Sequence, residues 1–511
     1  MTARYGLDFY VDRRENYYPV NSAGDWTGGG FYKNDYSERV QNLNVFVNGN
    51  SSFGGSNLNW ILGYVLEDEE YYRFSSSTNN FLNPNPSKQL VGNAVNGDIL
   101  ATENKRRTKK NSAFYSLSFS TLQDKLLLDV AGRLERSSTL TDLNFYPSAT
   151  LGYIVTDNAS GPLSFLKLRA SYGQVGISPI LYINKSNFIT STAGSENWGD
   201  YIDGANYGGS VRRSAIQGNP DLKAERVTET EVGADFRFLD NKLSLGATYY
   251  NRLTTDGILR IELPPSTGFT EQYQNAAEIS NKGIELDFNY NQLSANYLKV
   301  NIFGNFTSYK NIVEKLPDVS RVILNGFNST GSVVKEGAPF AAIFGGAYQR
   351  DANGNIEFDS RGFPLIDDEQ KVIGDPNPDY KAGLGASIDY KNFNFSFLFE
   401  TSQGNDMWGG TQGVLYYFGI HPDTDNVSVS DVDLPIYNAN VANSYNNGVI
   451  PAGTPFRGNI ADFWGGPVAL EESWYRTNGG GFGDLDEQFV KDASWIKLRE
   501  VSLNYHAVLT S

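Results

Sequence analysis

Enzyme chemistry needs nucleophiles, bases or metal ligands at a useful spacing, and this chain of 511 residues is poor in all three. Its two histidines, His421 and His506, lie far apart in sequence and cysteine is absent, which removes thiol nucleophiles and multi-histidine zinc sites. No G-x-S-x-G, Walker-A loop or H-E-x-x-H occurs. A glycosidase-like carboxylate pair can always be drawn among 58 acidic residues, but these fall mostly on alternate strand positions or in connections. Asp351-Ala352-Asn353-Gly354-Asn355, with Asp367-Asp368-Glu369 nearby, is oxygen-rich. A calcium loop of the EF-hand kind needs glycine at its sixth position, where Ile356 stands, so the stretch reads as an Asn-Gly turn. The expectation is a protein that is not an enzyme and that needs no cofactor and no metal.

Binding chemistry is better represented. Trp26, Trp198 with Tyr201 and Tyr207, Trp408, Trp464 and Trp474 all lie in long polar connections beside Gly, Asn and Asp. Rings in such settings suit flat polar ligands such as sugars, and they equally suit packing against other loops or against a partner lid. Two charged runs, Glu67-Asp68-Glu69-Glu70 and Lys105-Arg106-Arg107-Thr108-Lys109-Lys110, flank one connection. They read either as solvated charge at a rim or, for the basic run, as a contact with lipid phosphate.

The elements that must carry these residues alternate with period two. Val232, Ala234, Phe236 and Phe238 oppose Glu231, Gly233, Asp235 and Arg237, and after Asp240-Asn241 the residues Leu243, Leu245, Ala247 and Tyr249 repeat the pattern. That is a β-hairpin with one apolar and one charged face, suited to a wall between lipid and water. Sixteen stretches read as strands, from 4–10 to 494–507, and include 42–53, 58–74, 112–120, 319–325 and 333–350. Many have the 9–11 residues a tilted strand needs to cross a bilayer. Short turns at 54–57, 121–124, 157–161, 239–242, 292–296 and 391–392 alternate with long connections at 11–41, 75–111, 175–227, 263–279, 351–379 and 404–493. Such segregation is expected of outer-membrane barrels, with short periplasmic turns and long external loops. Only this parity supports a strand at 319–325.

Composition agrees. Aromatics make up 14% of the chain, with 31 Tyr, 31 Phe and 52 Gly, which favours strands and turns. A net charge of −16 argues against nucleic acid. No apolar run is long enough for a membrane helix. The residues thus specify an all-β fold, a large antiparallel transmembrane barrel. A passive porin, or a soluble carbohydrate-binding β-protein, remains open.

Five stretches, in order along nearly the whole chain, resemble the SusC/RagA family of TonB-dependent outer-membrane receptors. They are Arg133–Leu140 with Phe145-Tyr146-Pro147-Ser148; Leu166–Gly176; Asn219-Pro220-Asp221-Leu222-Lys223-Ala224-Glu225; Gly374-Asp375-Pro376-Asn377-Pro378-Asp379 through Ser402–Asp406; and Phe489–Arg499. The motif positions singled out are Asn219, Pro220, Leu222, Lys223, Glu225, Pro376, Asn377 and Pro378. The resemblance implies an energised importer of oligosaccharides or oligopeptides. Its implied partners are TonB, acting through a plug domain, a SusD-like surface lipoprotein as lid, and outer-membrane lipid. It also implies a barrel of about 22 strands, so residues 1–511 are expected to supply about sixteen of them and no plug or TonB box. The opening Met1–Leu7 has no signal-peptide core and Val508–Ser511 no closing aromatic strand, so the full protein is expected to extend further at both ends.

Overall fold

The computed structural model describes residues 1–83, 85, 90–95, 99–140, 142–158, 162–191, 210–293, 298–317, 319–438 and 448–507. Fourteen strands are hydrogen-bonded to one another in chain order. They are β1 (Thr2–Tyr18), β2 (Gly30–Phe53), β3 (Ser56–Asn79), β4 (Ile99–Thr121), β5 (Leu126–Ser137), β6 (Leu143–Asp157), β7 (Leu163–Ile177), β8 (Glu225–Phe238), β9 (Leu243–Glu262), β10 (Glu271–Leu293), β11 (Leu298–Lys315), β12 (Tyr380–Tyr390), β13 (Phe393–Gln403) and β14 (Trp495–Tyr505). Among the described residues no helix is long and apolar enough to cross a membrane. Contacts divide the chain into two units: Met1–Tyr153, Ala170–Thr228 and Glu262–Asn275; and Ile154–Arg169, Glu229–Ile261 and Ala276–Ser511.

In the first unit, register converts sequence alternation into two coherent faces. Leu62 stands level with Val47 on β2 and Tyr115 on β4; Tyr64 is level with Val45 and Ala113. The row continues through Gly132 on β5 and Pro147 on β6. These apolar residues are not covered: Leu62 is 54% exposed and Leu151 46%. On the opposite face Asp129 is level with Thr150 and Arg133 with Tyr146. A sheet face of uncovered Leu, Val, Tyr and Phe backed by a polar face is the arrangement that membrane-spanning walls require.

β2 and β3 are 24 residues long and β4 is 23, more than twice the length a bilayer crossing takes. In β3 the apolar alternation occupies Leu58–Leu66, next to the tight turn at Gly54-Gly55. The excess therefore lies on the side of the long connections. There the two charged runs prove to be one structure: Glu67 is level with Lys110, Asp68 with Lys109 and Glu70 with Arg107. The acidic run falls within the expected strand 58–74, whereas the basic run falls in the expected connection 75–111. Together they continue the ladder, because cross-strand pairs of opposite charge support it.

The second unit repeats the two-faced pattern. Ile284, Leu286 and Phe288 are level with Ser308, Phe306 and Gly304 on β11. Leu384 on β12 lies between Gly304 and Phe399. In β14, Val501, Leu503 and Tyr505 share the apolar face, and so do Ile496 and Leu498, which have the opposite sequence parity. A β-bulge facing Leu398/Phe399 takes up the extra residue and brings both sets into phase.

Two of the sixteen expected strands are not part of this wall. Residues 319–325 and 333–350 contribute Val322–Phe327, part of Thr330–Val334, and Ala342–Gly345, which with Lys371–Gly374 form a separate four-stranded sheet. Both stretches have β-character, but their partners are each other. Because they leave the wall as a pair, the alternation of short and long connections survives: β11 connects to β12 by one long excursion.

Candidate functional site

The excursions 316–379 and 404–494 of the second unit fold into a body with its own cores. Val333, Ala342 and Phe344 form one; Phe363, Val468, Trp474, Tyr475 and Leu485 form another. A helix α1 (Gly410–Tyr417) and a short ladder between Asp406–Trp408 and Val490–Asp492 belong to the same body. Hydrogen bonds join the two excursions at defined points. Gly346 N–H donates to the Asp486 carboxylate at 2.9 Å, and Tyr348 N–H donates to Glu487 at 2.8 Å. Arg350 holds Glu487 with two bonds of 3.1 and 2.8 Å. Burial, with the Glu487 carboxylate beside it, pushes the Tyr348 phenol up to about 12.

The second group of motif residues sits at this junction. Asp375 N–H donates to the Asp406 carboxylate at 3.0 Å, and Asp406 N–H returns a bond to the Asp375 carbonyl at 2.7 Å. Asn377 donates through its side chain to the Phe340 carbonyl at 3.2 Å. Pro376 and Pro378 flank Asn377, which fixes the local chain as extended. Gly404 has φ +83°, and a Cβ there would stand 2.3 Å from the Asp379 carboxylate, so only glycine fits the corner. Three separate stretches of sequence, 374–379, 402–406 and 490–494, thus meet where β12, β13 and β14 leave the wall.

The first group does similar work in the first unit. Ile216–Gln217 pairs in parallel with Glu271–Gln272 at the start of β10. Asn219 donates to the Tyr273 carbonyl at 2.9 Å, and Asn275 brackets Lys223 by accepting from its N–H at 2.9 Å and donating to its carbonyl at 3.1 Å. Leu222 is buried, and Pro220 and Glu225 lie at the two ends of this clasp. A Cβ on Gly218 would come within 2.1 Å of the Lys185 carbonyl carbon. These motif residues brace a long connection against the wall.

The aromatic candidates are dispersed. Trp198, Tyr201 and Tyr207 lie outside the described residues. Trp26 stacks on Tyr18 with ring centres 4.5 Å apart and is a packing residue. Trp474 is only 3% exposed, stacked on Phe363 and edged by Tyr437, so its ring belongs to a core and shows a ligand little more than its rim. Trp464 is the opposite case. It is 77% exposed at φ +71°, held there by its N–H donating to Asp462 at 2.7 Å, and it borders an open cleft of about 640 Å³ with Arg350, Glu357 and Phe358. A bulky residue kept in the left-handed region by its own turn is a displayed ring. In the same cleft the Asp351 carboxylate accepts from Asn353 N–H at 2.8 Å and from Asn355 N–H and side-chain amide at 2.9 and 3.0 Å. Its oxygens are used by the turn, as the glycine placement implies.

Trp408 lines a groove of about 460 Å³ with Phe327, Thr330, Ile343, Met407 and Pro376. Its ring lies 6.1 Å from Phe327. The indole Nε1 and the Thr330 hydroxyl are both buried without a hydrogen-bond partner among the described residues. An indole N–H can only donate, and left unpaired in a buried place it carries a desolvation cost. Neither atom is open to the groove, whose lining of Phe327, Ile343, Met407, Pro376 and Trp408 suits an apolar group. Sequence reasoning found Trp408 and Pro376 separately; Phe327 and Thr330 carried no local signal, because their role depends on the small sheet that brings them there.

A family model described as "TonB dependent receptor-like, beta-barrel" matches residues 1–454. The TonB-dependent receptor P3 of Formosa agariphila is 26% identical over 411 residues, covering 74% of this chain and 39% of that relative. The TonB-dependent receptor SusC of Bacteroides thetaiotaomicron is 28% identical over 318 residues, covering 58% of this chain and 31% of SusC. Among solved structures, the RagAB peptide transporter superposes with a TM-score of 0.71 at 17% identity, over 98% of this chain and 53% of the transporter chain, a likeness of fold. The chain thus spans under half the length of these curated relatives.

Proposed function

The chain belongs to the TonB-dependent receptor β-barrel family and is an outer-membrane wall of the SusC and RagA kind; from that premise we propose that the receptor it belongs to imports an oligomeric nutrient, an oligosaccharide or oligopeptide. In this reading TonB supplies the energy through a plug domain of the whole receptor, and a SusD-like lipoprotein covers the external mouth. The chain itself binds and passes cargo and breaks no bond.

The observation that carries the proposal is the folded body made by excursions 316–379 and 404–494, with its groove beside Trp408 and its cleft beside Trp464. A passive pore gains nothing from ordered recesses of that size, whereas a receptor that must capture dilute cargo does. The groove suits an apolar side chain of a peptide, and the Trp464 cleft, with Glu357 and Asn355, suits a hydroxylated ring.

Uptake of labelled oligopeptides and of labelled oligosaccharides by cells expressing the whole receptor, with and without TonB, tests the proposal. TonB-dependent uptake of one class, reduced by Trp408→Ala for peptides or Trp464→Ala for glycans, is expected. Entry that needs no TonB and falls smoothly with solute size would establish a passive pore instead.

A further inference from the structure

We propose that the outward face of β2–β5, just beyond the apolar belt on the side of the long connections, is a binding site for the phosphates of acidic lipid headgroups in the external leaflet. The proposal rests on the membrane placement of the family and is independent of the cargo.

Register puts Lys105, Arg107 and Lys109 on the face of β4 that carries Phe119, Leu117 and Tyr115 further down, so the three cations continue the lipid-facing row. Arg39 on β2 joins them through its shared level with Glu70. Arg136 on β5 is level with Asn111, one row below Lys109. Only Asp68 and Glu70 oppose these five cations within these rows, and each carboxylate is shared by two of them. Asp68 lies 2.5 Å from Arg107 and 3.6 Å from Lys109; Glu70 lies 3.5 Å from Arg39 and 3.4 Å from Lys105. Arg39, Lys105, Arg107 and Lys109 keep between 39% and 59% of their side-chain surface exposed. Asp35 and Glu103 appear only in the next row, beside Arg13.

The inner face of the same segment is built differently. Lys110 pairs one-to-one with Glu67 at 3.6 Å, and Arg106 lies over the Tyr71 ring at 4.5 Å. Inside, Glu38, Glu67 and Glu69 outnumber Lys110 and Arg106, whereas outside the cations are in excess, in a chain whose net charge is −16. The outward row starts where the apolar alternation ends at Leu66, which is the level of the headgroups. Arginine offers a planar fork to phosphate oxygens and lysine a point charge, and cations spaced every second residue along β4 present both in one line. Free phosphate shares this chemistry; the adjoining apolar belt favours a phosphate that comes with acyl chains.

The test uses the whole receptor in nanodiscs of phosphatidylcholine with or without phosphatidylglycerol, with retained acidic lipid counted by native mass spectrometry. Enrichment of phosphatidylglycerol is expected around the wild type. It should fall about fivefold for each cation removed in Lys105→Gln/Lys109→Gln and recover in Lys105→Arg/Lys109→Arg. Arg106→Gln/Lys110→Gln, on the inner face, should retain lipid as the wild type does. Equal retention by outer-face and inner-face variants would overturn the proposal. So would inorganic phosphate alone binding the detergent-solubilised receptor as tightly as the lipid does, since that outcome defines a free-anion site.

Discussion

Leu62→Arg tests the assignment of faces most directly. From Ser56 to Leu66 the strand advances roughly 33 Å along its axis, and a tilt of about 40° reduces this to about 25 Å of height, the height of the apolar band in such walls. Leu62 then sits about 15 Å above the short-turn rim, close to the midplane. It is 54% exposed, so an arginine there meets lipid and not a neighbouring side chain. Arginine at that depth costs about 2–4 kcal/mol, or roughly 30- to 700-fold in the folding equilibrium. The control is Ser116→Arg on β4. Ser116 is level with Ile61, next to Leu62 in sequence but on the inner face, and should cost under about 1 kcal/mol. Urea titration of the whole receptor refolded into lipid vesicles measures both. A Ser116→Arg penalty equal to or larger than that of Leu62→Arg would refute the reasoning, because the faces would then be exchanged or the height wrongly placed.

Gly218→Ala drives a methyl into the Lys185 backbone, so the clasp on Asn275 should open and 216–223 should exchange amide hydrogens faster, while the belt strands stay protected. Arg350→Ala leaves the Glu487 carboxylate without its fork; both groups are partly exposed, so a loss of about 1 kcal/mol is expected, read as faster proteolysis within 346–367. Burial raises the Glu471 carboxyl above its usual range, against the pull of the Ser473 donors. Its contribution to stability is therefore full below the ordinary carboxylate range and lost as pH rises through the raised value. Glu471→Gln keeps an acceptor for Ser473 N–H, and amide protection over 471–475 should become flat with pH in the variant while falling in the wild type.

The wall was legible because burial on one side imposes period two, which Ile284–Tyr290 keeps strictly and Leu58–Leu66 and Leu126–Arg133 keep on the apolar face. Strand ends were less legible. Lys105–Lys110 looks like part of a connection when read alone, and only its register with Glu67–Glu70 across β3 and β4 shows a continuous ladder. Beyond the bilayer both faces are wet, so alternation is no longer required there and the local signal fades. At 319–325 and 333–350 the β-character was real but the partner was wrong, since a period of two is common to every sheet. The groove was half legible: Trp408 and Pro376 stand out by type, whereas Phe327 and Thr330 matter only through contacts made across the chain.

The bulge in β14 marks one place where the chain tolerates a change in length. Where a ladder of the wall runs without a register shift, one inserted or deleted residue exchanges the two faces of everything up to the next turn, placing Glu and Lys in lipid. Opposite Leu398/Phe399 the ladder already accommodates an odd residue, at Arg499-Glu500. Deleting one residue between Leu498 and Val501 would straighten that register and leave Ile496, Leu498, Val501 and Leu503 facing as before. For anyone placing a probe or a tag in the wall, this short stretch is a slot where a single-residue edit preserves the sidedness of the strand.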